Sequence, residues 1–421
     1  MIQQSEQRSA RYRRGRYDQD ETSGGISRGD VDDERSYRAA AELLDDPAHP
    51  LRAAAYRYPV SRDELRASRE GFRSLAGGAS VFAGGVADYA HSLLASWYAL
   101  REHEELAGRL EEDRLADWFA ASRLKGAVVT TSLQPVRPIH PSRTADPVAV
   151  YAEEGLVLSG AQTFEADALF ADELLVLLHE EGGRTPVTIA LVPADDPRIV
   201  VQTRPELTSF VNVVYEAVQI PWKRVLVDRS EKDVSALLGA PAASAYPAYR
   251  WLARQLEELE LMAGTLFAVA EKGVLHKQLA AQGELAEAIQ GLETVKALLE
   301  ASELQAVRSA SGALVPAPLP LQAAKRAFGP AYRLTLELLN RFSAAWQLDA
   351  PAAHAHGTEE DAALLRWVQS LTGSTQAALR SLHVQYAFGD SAEQGTAIYA
   401  GYPLEPLKER YRRFWRQHAA E

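Results

Sequence analysis

The chain contains no cysteine in 421 residues. That excludes a disulfide scaffold, an iron–sulfur cluster, a thiolate zinc site and a cysteine nucleophile. It lacks any apolar run of about 18 residues, the length a membrane-spanning helix requires, so no membrane partner is expected. Its N-terminus lacks the apolar core of a secretory signal, and a cytoplasmic location is expected. It also lacks a positive excess: the net charge is −12 and the pI is near 5.4. Such a balance argues against nucleic acid, whose phosphates require a basic surface. No GxSxG, P-loop or GxGxxG occurs, so hydrolase, NTPase and Rossmann dehydrogenase chemistry find no footing.

What remains has the composition of a globular protein, with 47% hydrophobic and 24% charged residues. Two or three domains are expected at this length. Residues 1–35 carry a run of arginines (Arg8, Arg11, Arg13, Arg14, Arg16) and then acids, with few large aliphatic side chains, and read as a mobile tail.

Residues 36–125 read as a helical domain. Leu93, Leu94, Trp97 and Leu100, then Leu110, Leu115, Trp118 and Phe119, recur at three- and four-residue spacing. Ser61–Glu64 (SRDE) has the form of a capping box. Gly77, Gly78, Gly84 and Gly85 interrupt the pattern and mark a turn or a close backbone approach.

Residues 126–230 read as a β domain. Strand-like runs appear at Val128–Thr131, Val148–Tyr151, Leu156–Ser159, Glu173–Leu178, Val187–Val192, Arg198–Thr203 and Val211–Val218, with glycine or proline in most gaps. Residues 231–421 are helical again. Long amphipathic patterns cover Arg250–Gln278, Glu284–Arg308, Gln322–Phe342 and Glu359–Ala387, with Pro316, Pro318 and Pro320 as a separator and a short terminal helix at Leu404–Gln417. Helices of about 25 residues, some 37 Å long, laid side by side imply a four-helix bundle.

The fold class expected is therefore α+β and mostly α, in the order helical domain, β-barrel or sandwich domain, helical bundle. That order points to the acyl-CoA dehydrogenase-like fold. Ser209–Asp228 reads SFVNVVYEAVQIPWKRVLVD, a strand followed by Val-x-Ile-Pro-Trp-x-x-Val-Leu. It resembles the oxygenase component family of 4-hydroxyphenylacetate 3-monooxygenase, the two-component flavin hydroxylases, with Pro221 and Trp222 as the strongest signal. Tyr58–Arg69, Ala87-Asp88-Tyr89, Gly155–Gly160 and Gly373-Ser374 fall in the same order as that family's motifs, and the resemblance spans about residues 40–400.

The resemblance implies a monooxygenase fed reduced FAD by a separate flavin reductase, acting on an electron-rich aromatic or secondary-metabolite substrate, and assembled as a homotetramer or homodimer. It implies Tyr89 as the catalytic residue that orients substrate, with Gly85, Asp88 and Gly126 lining the substrate side. It places Thr130, Thr131, Ser132 and Gln134 at the flavin edge, where hydroxyls and a carboxamide can serve its donors and acceptors. Asp167 falls at a flavin-facing turn, and Ser374, Thr375 and Gln376 toward the pyrophosphate.

The departures are as informative. The family's arginine four residues before the tyrosine is here Gly85, and a family histidine aligns with Gly126. Thr130–Pro135 (TTSLQP), Glu165–Ala168 (EADA) and Ala377–Arg380 (AALR) also replace polar family motifs. Two readings follow: a monooxygenase with a changed substrate, or a flavin-free homologue with another reaction or a ligand-binding role. No metal is expected. His354 and His356 beside Glu359 and Glu360 lack a third spaced histidine. His91, His103, His276 and His383 are isolated on helices and read as surface or satisfied core residues. The aromatic and arginine-rich C-terminus (Tyr402, Tyr411, Phe414, Trp415) reads as a helix docking on a neighbouring subunit.

Overall fold

A computed structural model describes residues 58–76, 88–132, 147–165, 168, 171–179, 186–203, 210–349, 358–374, 377–378, 381, 384 and 391–418. The charged N-terminal segment, both glycine pairs, and His354 with His356 lie outside the described residues.

Three helices come first: α1 (Arg62–Ala76), α2 (Asp88–Leu100) and α3 (Glu112–Lys125). Ser61 caps α1 as its sequence demands, accepting the Glu64 amide at 3.2 Å, while Glu64 Oε2 accepts from Val60 N at 2.9 Å. The carboxylate thus reaches one residue beyond the usual box partner. α2 is buried almost all round: Leu93, Leu94, Ala95 and Trp97 are each at most 1% exposed. Trp97 meets the polar requirement of its indole by donating to Leu237 O at 3.0 Å. α3 ends at Gly126, which adopts φ 58° and closes the helix in the left-handed conformation that glycine enters without a Cβ penalty.

The β domain is two antiparallel-rich sheets face to face. One has the order β1-β4-β5-β8, from Val129–Thr131, Glu173–His179, Pro186–Pro193 and Val225–Val227. The other has the order β2-β3-β7-β6, from Val148–Ala152, Gly155–Glu165, Phe210–Pro221 and Ile199–Thr203. β4 shows why its sequence is an unbroken apolar run, ELLVLLH. Leu174, Val176 and Leu178 face the inter-sheet core with Phe164, Val213 and Ile220, whereas Leu175 and Leu177 join the core shared with the helices. A strand buried on both faces loses the period-2 alternation of a half-exposed one. Gly155 pairs with Pro221 across β3 and β7, so close that an added Cβ would run into the Ile220 carbonyl and the Pro221 Cα.

After β8 come α4 (Glu231–Gly239), α5 (Ala245–Lys272), α6 (Leu279–Leu304), a hairpin of β9 (Val307–Arg308) and β10 (Leu314–Val315), and α7 (Pro318–Asp349). α8 (Glu359–Thr372), α9 (Ser391–Gly401) and α10 (Glu405–His418) complete the described chain. α5, α6, α7 and α8 form the bundle. Trp251 of α5 packs edge-on against Phe328 of α7, and Trp367 of α8 donates to Thr265 Oγ1 of α5 at 3.2 Å. Gly291 brings α6 against α7, where a Cβ would stand 2.9 Å from that of Ala331.

The prolines expected to separate two helices partly belong to one. Pro318 and Pro320 occupy the first turn of α7, where amide protons have no intrahelical acceptor and a missing N–H costs nothing. α5 and α6 each begin about five residues before their sequence pattern suggested, because tertiary burial of Tyr246 and Ala281 extends them. The hairpin β9–β10 falls on residues that the sequence assigned partly to a helix.

α1 is strapped to the bundle by charge. Glu303, 2% exposed at its side chain, receives Arg69 at 3.0 Å and Arg66 at 3.5 Å, and accepts from the Tyr249 hydroxyl at 2.8 Å. Arg73 bridges Glu257 and Glu260 of α5, and Lys296 of α6 also reaches Glu260.

Candidate functional site

The site is built where α2 crosses β1 and the first half of α5. Tyr89 sits in the first turn of α2, partly buried against the core. Burial pushes its phenol up to about 12, so the hydroxyl stays protonated at any physiological pH. It is a donor there, not a base. Asp88 opens the same helix.

β1 is an edge strand of its sheet, so one row of its backbone groups has no strand partner. His91 of α2 fills that gap: its Nε2 accepts the Val129 amide at 3.0 Å, and the ring is 6% exposed. An accepting Nε2 requires the neutral tautomer with the proton on Nδ1. Asp172 holds the strand start, accepting from Val128 N at 2.9 Å. β1 and α2 are therefore one rigid unit.

Along β1, Thr130 is 3% exposed and Ser132 is 4% exposed. Thr131 donates to Leu175 O at 2.9 Å and spends its hydroxyl on the sheet. Ser132 bridges to Phe164 of the second sheet, yet among the described residues its buried Oγ has no hydrogen-bond partner. A buried hydroxyl left without a partner costs about 1–3 kcal/mol.

Tyr89, Ser92 and Ser96 share one face of α2 by helical spacing. Ser92 and Ser96 are fully buried, and Ser96 Oγ is without a partner. Arg250 of α5, 1% exposed, donates from Nη1 to Ser92 Oγ at 3.2 Å. Ser92, Ser96 and Arg250 were not singled out by sequence, and only tertiary packing reveals that Arg250 is buried. His91 was read as a satisfied core or surface residue. It is buried and satisfied, and its partner is the strand of the site itself.

The other expected residues divide. Gly126 lies at the helix end already described. Ser374 donates to Ser370 O at 2.8 Å and accepts from Ala377 N at 3.0 Å, shaping the exit of α8. Gly85, Gln134, Asp167, Thr375 and Gln376 fall outside the described residues. Trp222, with Pro221 the strongest sequence signal, has a structural place. Its indole donates to Glu153 O at 2.9 Å and stacks on Tyr151, closing the β2–β3 turn. Among the described residues, no group of three or more His, Asp or Glu side chains is arranged to hold a metal.

Solved structures share this architecture. The oxygenase component of 4-hydroxyphenylacetate 3-monooxygenase, complexed with FAD and 4-hydroxyphenylacetate, superposes with a TM-score of 0.74 at 20% identity, covering 95% of this chain and 94% of that one. An oxygen-tolerant 4-hydroxybutyryl-CoA dehydratase from N. maritimus does so with a TM-score of 0.68 at 15% identity, covering 93% and 90%. The protein has the acyl-CoA dehydrogenase-like fold. Residues 239–355 match the family model described as 4-hydroxyphenylacetate 3-hydroxylase C terminal. The 4-hydroxyphenylacetate 3-monooxygenase oxygenase component of Thermus thermophilus is 23% identical, over 95% of this chain and 92% of its own length. That of a Geobacillus species is 21% identical over 85% and 82%. The chain is a divergent relative of these oxygenase components.

Proposed function

We propose that the protein is the oxygenase component of a two-component, FAD-dependent monooxygenase. It takes reduced FAD from a separate reductase and oxygenates a small electron-rich substrate. The family relationship supports this reading, and one observation in the chain itself carries it: the buried, partnerless Ser132 Oγ at the end of β1. A flavin edge presents both donors and acceptors, and a hydroxyl can serve either. Thr130 beside it is equally buried, so the residues present fit the cofactor.

Reduced FAD, when bound, supplies the activation of dioxygen for insertion of one oxygen atom into the substrate. The chain's part is placement. Ser132 and Thr130 offer hydroxyls to the flavin. Tyr89, held protonated by burial, donates a hydrogen bond to a substrate oxygen. His91 fixes the distance between the two by locking α2 to β1 and, with Nε2 engaged by the Val129 amide, does not act as the proton acceptor in this arrangement. The apolar walls of the α2–α5 seam, Leu93, Leu94, Leu252 and Leu256, exclude water from the reacting groups.

The same reading places the enzyme in the cytoplasm with its reductase, working on an aromatic or secondary-metabolite substrate. It also predicts a homodimer or homotetramer. The stripe Leu407, Tyr411, Phe414 and Trp415 on α10, each more than half exposed, supports a second copy docking there.

The test is an anaerobic titration with reduced FAD, followed by an oxygen pulse in the presence of candidate phenols. Saturable binding of reduced FAD, with oxygenated product formed in preference to hydrogen peroxide, is the expected result. No binding of reduced FAD by the wild-type protein would overturn the proposal.

A further inference from the structure

From Glu405 to Gln417 every residue of α10 is exposed. A helix of 14 residues is marginal in water by itself, and most helical stability in proteins comes from burying one face. The face on offer is apolar. Leu407, Tyr411, Phe414 and Trp415 follow at helical spacing, and the Tyr411 and Trp415 rings stack at 6.2 Å. The rest of the helix is basic, with Lys408, Arg410, Arg412, Arg413 and Arg416 against Glu405 and Glu409. Glu405 already engages Lys408 and Arg412. In a chain of net charge −12, this is a local reversal of sign.

A surface of the complementary kind lies on the sheet β2-β3-β7-β6. Its inner face packs on the inter-sheet core. Its outer face is apolar from strand to strand: Val150 stands opposite Val157, Ala161 opposite Val214, and Val214 opposite Val200. At the β2 edge of the sheet, Val148 and Val150 are each 60% exposed. A contiguous apolar patch on a sheet face marks an interaction surface. The four strands and the β2–β3 turn contain no lysine, arginine or histidine. Among the described side chains, their exposed charges are Glu153, Glu154 and Glu216. The sizes agree as well. α10 is about 21 Å long at 1.5 Å per residue, and four strands about 4.8 Å apart span roughly 15 Å.

We propose that α10 of one copy docks on the outer face of the β2-β3-β7-β6 sheet of a second copy, with its apolar stripe on Val148, Val150 and Val157 and its arginines toward Glu153, Glu154 and Glu216. The proposal rests on the homodimer or homotetramer reading and adds the surface that receives the helix. Two α10 helices laid stripe to stripe would cover the same apolar groups but crowd two arginine-rich helices together, and like charges repel. The sheet supplies carboxylates in their place. Three aromatic side chains bury about 150–250 Å² each, so with the opposing sheet surface one docking removes roughly 900–1,500 Å². In a two-fold pair each copy gives a helix and receives one, which doubles the area and brings it into the range of stable assemblies.

The absence of cysteine makes the test clean, because two introduced thiols are the only ones present. Val150→Cys and Phe414→Cys chains, carrying tags of different length, are co-expressed, purified together and treated with a flexible bismaleimide. The expected product is a covalent dimer of one chain of each kind. A product made chiefly of two Phe414→Cys chains would show helix on helix and overturn the proposal. So would no covalent dimer, or a link closed within one chain carrying both substitutions. Light scattering supplies the second measurement. Val150 is largely exposed, so Val150→Lys keeps the fold, and it is expected to raise the dissociation constant of the assembly at least about tenfold. A chain ending at Pro403 should dissociate likewise. If that truncation lowers the mass and Val150→Lys does not, α10 docks elsewhere and this proposal alone falls. If the wild type is a monomer, the assembly reading falls with it.

Discussion

His91 on α2 accepts the backbone amide of Val129 on β1 at 3.0 Å, so a side chain of the helical domain completes the edge of a sheet in the β domain. Replacing His91 with Ala leaves a buried amide without an acceptor, at a cost of about 1–3 kcal/mol. In a protein of this size, that lowers the melting temperature by roughly 2–10 °C. Asparagine, whose carboxamide oxygen can accept, is expected to recover part of the loss. Calorimetric melts of the two variants make the comparison, and equal melting of His91→Ala and wild type would contradict it.

Tyr89 carries a pH prediction. Its phenol is raised to about 12 by burial, above the usual value of 10.0. Between those pH values the unfolded chain releases a proton that the folded chain keeps. Its contribution to stability is thus complete below pH 10 and is lost as the pH climbs toward 12. The difference in tyrosinate absorbance between wild type and Tyr89→Phe should develop only near the upper end of that window. Under the proposed function, Tyr89→Phe also lowers turnover while leaving reduced-FAD affinity unchanged.

Lys325 on α7 titrates with the opposite sign. Burial lowers its ammonium to about 8 from 10.5. A depressed base favours the folded state above pH 10.5, and that gain is lost as pH falls through 8. The stability difference between Lys325→Met and wild type is therefore expected to move in favour of wild type as the pH rises from 8 to 10.5. Urea melts at four or five pH values would show it, and a flat difference would refute it.

Glu303 is the anchor of α1. Neutralising it by Glu303→Gln removes the counter-charge of Arg69 and Arg66, while the carboxamide oxygen can still accept from Tyr249. Breaking one side of a buried pair costs about 3–5 kcal/mol. Hydrogen exchange should then speed up first in α1, whose attachment depends on that carboxylate.

The exposed apolar stripe of α10 predicts assembly. A chain ending at Pro403 should keep the fold and the melting temperature of the bundle but elute as a smaller species in light-scattering chromatography. An unchanged mass would show that α10 is not the docking helix.

Periodicity carried most of the fold. The apolar spacing around Trp97 located α2, and the strand runs from Val148 to Val218 each correspond to a strand, because burial of one or both faces writes itself directly into the sequence. Helix ends were less legible. Proline reads as a breaker, but Pro318 and Pro320 stand in a first turn where their missing amide has no consequence. The site was legible only in part. Tyr89 and the β1 hydroxyls could be picked out by position and type. The buried state of Arg250 and the His91–Val129 hydrogen bond, each made between residues far apart in the chain, leave no local trace. Pro221 and Trp222 were conspicuous for the opposite reason: a turn that must be closed by one ring and one carbonyl demands particular residues next to one another.

Gly155 sets a boundary on how this domain can be altered. With the Ile220 carbonyl and the Pro221 Cα lying where any Cβ would go, no other amino acid fits without prising β3 from β7. In a saturation library selected for folded protein, codon 155 should return glycine alone. The neighbouring codons 153 and 154, whose side chains lie at the surface of the turn, should fill with variety. The hairpin therefore offers a place to graft an epitope or a label into the turn itself, bounded on its C-terminal side by a residue that tolerates no editing.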